Sequence, residues 1–284
     1  MSKTIIVREE SKVISSLTYE EFNKISITVE QFERSVGVDY FLLLQSIDEK
    51  KAILDGKKPF PYHTLKSLRE KLLVEWTYHS NAIEGNTLTL SETKVVLEGI
   101  TVGGKTLREH LEVMNHKDAI HYIEEIIANH ESLSEWQIKN IHSLVLKGIL
   151  PGNAGVYRQE NVFISGAEHI PPAFVHVREQ MTQLMEWYAG EGQTLHVVER
   201  AAILHSEFVK VHPFVDGNGR TARLLLNFEL MKHGYVPIVI KKEQRLEYYN
   251  ALDYSHVKGE YDVFIKLVAG ILEGTLEFYI QHIK

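Results

Sequence analysis

His212-Pro213-Phe214-Val215-Asp216-Gly217-Asn218-Gly219-Arg220-Thr221-Ala222-Arg223 is the stretch on which the reading of this chain turns. Pro213 disfavours the α conformation at His212, so a helix arriving from the N-terminal side ends there. Gly217 and Gly219 flank Asn218, a pattern for a tight turn whose backbone N–H groups converge on an anion. Asn218 is placed to N-cap the next helix, whose free N–H groups and dipole also favour negative charge. Arg220 and Arg223 break a local rule, since cations in a first helical turn are disfavoured by about 0.3–1 kcal/mol each. Three residues apart, they share a face. Two arginines, a glycine turn and a helix N-terminus suit a polyphosphate, which would offset that cost. Asp216, directly before the turn, is placed to hold a Mg2+ that bridges phosphates. His212 at the rim is placed to accept a proton from an attacking hydroxyl, and an ordinary histidine is neutral enough near pH 7 to do so.

Outward from this turn the apolar period is helical almost throughout. Helices are expected at Thr64–Glu84, Ser91–Glu98, Leu107–Ala128, Ser134–Leu146, Ala173–Tyr188, Val197–Val211, Gly219–His233, Lys242–Asp253 and Asp262–His282. In the first, Thr64 reads as the N-cap; Leu65, Leu68, Leu72, Trp76 and Ile83 fall near one face, and Gly85-Asn86 closes it. Residues 155–172, with Val162-Phe163-Ile164 ahead of Ser165-Gly166, read as a short strand or hairpin. Asp55-Gly56-Lys57-Lys58-Pro59-Phe60-Pro61 is a break that no helix crosses. Before it the pattern is weak: Thr4–Val7 and Ser26–Val29 read as short strands and Leu42–Leu54 as helix. The expected architecture is mostly α with one small β element.

Composition limits the function. The 284 residues carry a net charge of −7, so no global basic field attracts nucleic acid or an anionic membrane surface, and a phosphate site must be local. There is no cysteine, which removes disulfides, thiolate metal sites and a cysteine nucleophile. The start is charged too soon for a signal peptide, and no apolar run approaches the ~20 residues of a spanning helix. Taken together these features predict a cytoplasmic protein.

The twelve-residue string matches the signature HPFx(D/E)GNGRxxR of the Fic family at every specified position. The resemblance implies a Fic-type helical core with a small β-hairpin flap, and an adenylyltransferase that moves AMP from ATP to a Ser, Thr or Tyr hydroxyl of a protein. In that reading His212 is the general base and Phe214 anchors the loop. Asp216 binds Mg2+ (or Mn2+), and Gly217, Asn218, Gly219 and Arg220 hold phosphates. Arg223 takes the γ-phosphate, and pyrophosphate leaves. ATP and a protein substrate are the implied partners, with self-modification as a side activity and a homodimer as a form open to the chain.

A second segment, Ser80-Asn81-Ala82-Ile83-Glu84-Gly85, resembles the family's inhibitory motif (S/T)xxxE(G/N). It implies that Glu84 pairs with Arg223, that Ser80 supports it from the same helix face, and that ATP then binds unproductively. Because the motif precedes the signature, the chain resembles the class II, self-inhibited type. Residues 155–172 resemble the family's flap, so Val162, Phe163 and Ile164 become the expected target-binding edge. Arg245, Tyr248, Tyr249 and Leu252 match a looser pattern on the adenine side, where His256 stands in place of a frequent asparagine. The implied organisation is an unassigned extension over 1–61, a helical region carrying the inhibitory motif over 62–106, and a catalytic core over 107–284.

Three rival readings remain beside this one. The same site can hydrolyse AMP from a modified protein. Gly99-Ile100-Thr101-Val102-Gly103-Gly104-Lys105-Thr106 fits a P-loop expression but lacks the preceding strand that a P-loop NTPase needs. The fifteen histidines invite a zinc site, yet no HExxH occurs, and His205 and His212 lack a third ligand nearby in sequence.

Overall fold

The computed structural model describes residues 4–7, 10–13 and 38–283, with side chains from 41 onward. The chain divides into two units, residues 1–45 and 46–284. In the first, β1 (Thr4–Val7) pairs antiparallel with β2 (Glu10–Val13), Thr4 opposite Val13 and Val7 opposite Glu10. The strand expected at Thr4–Val7 is present; the one expected at Ser26–Val29 lies outside the described residues.

Helices follow in chain order: α1 (Val38–Asp55), α2 (Tyr62–Ile83), α3 (Leu90–Leu97), α4 (Leu107–Ala128), α5 (Glu135–Val145), α6 (Val177–Ala189), α7 (Val197–Val211), α8 (Asn218–Lys232), α9 (Arg245–Lys258) and α10 (Asp262–His282). The second unit is built around α8, on which Asn218 and every residue from Arg220 to Leu230 is buried. Helices α2, α4, α5 and α7 pack on it. A helix enclosed on all sides cannot be amphipathic, which explains the unbroken Leu224-Leu225-Leu226 run. Trp76, Ile120, Ile141, Phe208, Phe214 and Phe228 join in one core, so the signature loop is rooted in it through Phe214.

Several boundaries differ from the sequence reading. Helix α2 starts at Tyr62 after Pro61 rather than at a Thr64 cap, and Leu65 is exposed. Proline directly before the first turn supplies the break without a side-chain cap. Helix α9 begins at Arg245 after a 3-10 turn over Lys242–Gln244 and continues to Lys258. The 99–106 segment joins α3 to α4, and Thr106 forms a capping box with Glu109 at the start of α4. With a helix where a P-loop needs a strand, that reading fails.

The hairpin expected over 155–172 is not formed: the segment is described throughout and carries no strand pairing. Side chains tie it down instead of a ladder. Arg158 donates to the Pro172 carbonyl at 2.5 Å, Asn161 accepts from the Phe174 N–H at 2.9 Å, and Asp253 on α9 accepts from the N–H groups of Glu168 and His169. No helix among the described residues is long and apolar enough to cross a membrane.

Candidate active site

Helix α7 stops at Val211, and His212 takes a left-handed conformation, φ 49° and ψ 58°. The following proline shuts the ordinary α region, and the rare alternative persists because the surroundings hold it. The loop then folds over Phe214, which is fully buried and stacked on the His142 ring at 3.5 Å and 5°. Asn218 does not cap α8. Its side chain turns back and bonds both main-chain groups of Phe214, accepting from the N–H at 3.0 Å and donating to the carbonyl at 2.8 Å. The cap position belongs to Gly217 at φ 80°, where a Cβ would press on Val145 and His142. His142 closes the loop from below: Nδ1 accepts from the Gly155 N–H at 2.9 Å, so Nε2–H donates to the Asp216 carbonyl at 2.8 Å. The first-turn N–H groups of α8 have no intrahelical partners.

Two layers of charge sit on this helix start. Asp216 accepts from Arg108 Nη2 at 2.5 Å and Arg220 Nη2 at 3.0 Å, and Glu112 pairs with Arg108 at 3.1 Å and Arg220 at 3.3 Å. Burial opposes ionisation of Asp216, but Arg220 and Arg108 outweigh it and its pKa is lowered. One turn on, Arg223 is almost fully buried. It donates to Glu84 Oε1 at 2.7 Å, to the Ser80 carbonyl at 2.8 Å, to the Ser80 hydroxyl at 3.1 Å and to the Tyr248 hydroxyl at 3.4 Å. Burial works against the guanidinium charge; Glu84 and Tyr248 more than restore it, and the pKa is raised. The Glu84 carboxylate lies so close over Gly219 that a Cβ there would collide with it. A carboxylate therefore rests where the glycine turn and helix N-terminus were expected to take an anion.

His212 donates from Nδ1 to the Val209 carbonyl at 3.3 Å, which leaves the Nε2 lone pair free. It lines a cavity of about 210 Å³ together with Glu84, Gly219 and Arg223. Tyr248, Tyr249 and His256 form another wall, and Ile164 to Ala167 of the 155–172 segment cover it. Tyr248 is buried with its hydroxyl between Arg223 and His205 Nε2, while Tyr249 bonds the Ile83 carbonyl at the end of α2. Val162 is half-buried and Phe163 is 80% exposed; neither lines the cavity. A larger groove of about 740 Å³ runs between α2 and α10, but none of the signature residues lines it.

Arg108, Glu112, His142, Arg158 and Asp253 were not marked by the sequence reading. Arg108 and Glu112 offered one local signal, an opposite-charge pair four residues apart on a helix. The rest join the site across long separations that no spacing encodes.

Burial lowers the pKa of His142, His212 and His256 to about 4 and that of His116 to about 3, from an ordinary 6.5. The unfolded chain therefore binds protons between about pH 6.5 and 4 that the folded chain refuses, and stability falls as pH falls through that window. For His142 alone the difference is worth about 3 kcal/mol. The expected result is a urea midpoint that is level above pH 7 and drops steeply below 6.5. A midpoint unchanged down to pH 4.5 would contradict neutral, enclosed rings.

The profile of the Fic/DOC family matches residues 132–230, which include the whole signature loop. A protein adenylyltransferase Fic from Nematostella vectensis is 38% identical over 245 residues, 84% of this chain and 56% of that protein. The chain spans about half the length of such curated relatives. Among solved structures, Fic-1 (aa134–508) from C. elegans aligns with TM-score 0.76 and 32% identity over 91% of this chain and 75% of that one. A Fic domain containing signaling protein from Bacteroides thetaiotaomicron aligns with TM-score 0.77 and 29% identity over 84% and 96%. An unbroken signature on a helix start that is built to hold an anion, on a mostly helical fold shared with these proteins, makes this chain a member of the Fic/DOC family.

Proposed function

We propose that this chain is a protein adenylyltransferase, held in check by its own Glu84. The observation that carries the reading is the cavity in which a free imidazole nitrogen of His212 shares walls with Arg223 and the start of α8. A base and an anion-binding helix start in one enclosure suit the attack of a hydroxyl on a nucleotide phosphate. The relatives' name, protein adenylyltransferase Fic, supports AMP as the transferred group.

ATP would lay its phosphates on the N–H groups of Asn218 to Arg220 and on Arg223, with the Gly217 N–H now held by the Asp216 carboxylate, and its base toward Tyr249 and His256. His212 would take the proton of the target hydroxyl at Nε2 as the oxygen attacks the α-phosphorus, and pyrophosphate would leave. Asp216 is a half-buried carboxylate whose two oxygens are held by Arg108 and Arg220, and no group of three or more candidate ligands occurs among the described residues. With Arg108, which is half exposed, turned away, the single carboxylate would suit Mg2+, which commonly takes one or two carboxylates, waters and substrate phosphates. When bound there, the cation would neutralise phosphate charge. The protein substrate would lie along Val162, Phe163 and Ile164, which belong to no ladder among the described residues, although the Ile164 carbonyl already accepts from the Ala167 N–H. With Glu84 on Arg223, the γ-phosphate lacks its partner, as in a class II arrangement in which residues 62–106 regulate a core over 107–284.

The reaction type is tested by incubating Glu84→Gly protein with ATP labelled at either the α- or the γ-phosphorus. Label on protein from the α position alone, with pyrophosphate released, is expected. Label from the γ position would mean phosphate transfer and end the AMP reading.

A further inference from the structure

Arg158 belongs to none of the motifs that mark the site, yet its residue is 3% exposed and every guanidinium nitrogen is in use. Nε donates to the His212 carbonyl at 2.8 Å, Nη1 to the Glu160 carbonyl at 2.9 Å and Nη2 to the Pro172 carbonyl at 2.5 Å. Its own main-chain N–H donates to the Pro213 carbonyl at 2.9 Å. One residue thus fixes the two successive carbonyls around the signature's proline and both ends of the 160–172 segment.

Two features point beyond filling space. Among the described residues no carboxylate pairs with Arg158, so main-chain dipoles alone offset a buried cation, and burial lowers its pKa. Such an arrangement is costly to keep when an apolar side chain would fill the volume. Second, the carbonyl that Nε holds belongs to His212, which has a left-handed backbone. That conformation survives only where neighbours over-determine it, and Arg158 is such a neighbour.

We propose that Arg158 is a positioning residue: it locks the main chain of His212 to the two ends of the 160–172 segment, so that a protein held on that segment and the base facing its hydroxyl move as one body. The inference rests on the adenylyltransferase reading for its use, but the linkage itself belongs to the free protein. Rigid placement of this kind matters because an error of about 1 Å between base and hydroxyl can cost on the order of 100-fold in rate.

The test compares Arg158→Met, which keeps an apolar stem and removes all donors, with Arg158→Lys, which keeps the charge, both in the Glu84→Gly background. The expected result is a fall in kcat for AMP transfer of at least about tenfold in the Met variant. The Kd for a non-hydrolysable ATP analogue stays within about twofold, and Lys recovers part of kcat. Nitrogen-15 NMR of the histidines in the unliganded protein should show His212 as a single Nδ1–H tautomer in the parent and an averaged one in the Met variant, with His142 unchanged. Unchanged His212 resonances and kcat would overturn the proposal, as would parallel losses in kcat and ATP affinity. If the Glu84→Gly parent transfers no AMP, the functional reading fails, and the NMR comparison still decides the role of Arg158. If the Met variant does not fold, both measurements are made on Lys.

Discussion

Glycine at position 84 should raise AMP transfer about 10- to 100-fold over the wild type, read as α-phosphorus label on protein. The magnitude comes from the contact that is removed. A charge-assisted hydrogen bond such as the 2.7 Å pair between Glu84 and Arg223 is worth about 1.5–3 kcal/mol, and each 1.4 kcal/mol is a factor of ten. The Glu84 side chain is 32% exposed, so solvent screening favours the lower half of the range. Arg223 keeps Ser80 and Tyr248 as partners, and the variant should therefore melt within a few degrees of the parent. Equal labelling of the two proteins would show that Glu84 does not restrain the site, whatever the transferase activity proves to be.

Alanine at position 212, in the Glu84→Gly background, should lower transfer by about 100- to 10,000-fold while ATP still binds. Val209 holds the ring by Nδ1, and burial keeps its pKa near 4, so Nε2 carries a lone pair at any pH above about 5. A base that weak in the free protein would gain strength when a triphosphate enters, because added negative charge favours the imidazolium. Phosphoryl-type transfer also asks more of placement than of base strength. Transfer by His212→Ala within threefold of its parent would assign the proton to another acceptor.

What the sequence disclosed follows from the range of the interactions involved. The α7–loop–α8 unit was legible because Pro213, Gly217 and Gly219 act on their own backbone, and the buried α8 declares itself in an apolar run. The role of Asn218 was misjudged because capping and loop closure use the same side-chain oxygen. Phe214, anchored in the core, brings its main chain within reach before the helix can. Glu84 could be matched to Arg223 only by resemblance, since 139 residues separate them. Arg158 and Asp253 left no local trace, for both act on carbonyl or N–H groups that every residue possesses. The 155–172 segment misled in a different way. Val162-Phe163-Ile164 has strand propensity, but propensity needs a partner strand to become structure, and here side-chain ties fix the loop first.

The seat of the Glu84 carboxylate, above Gly219 and on Arg223, has an evolutionary corollary. Every group that receives it from the α8 side is one that the proposed nucleotide would also need, so on that proposal lesions at Gly219 or Arg223 should silence the protein instead of unleashing it. Escape would come from the end of α2, through Glu84 just beyond it, neighbours such as Ser80 that steady Arg223, or Tyr249, which holds the Ile83 carbonyl. A random screen for constitutively active variants should accordingly return a lopsided map, with hits clustered around the end of one helix and none across the gap on the other.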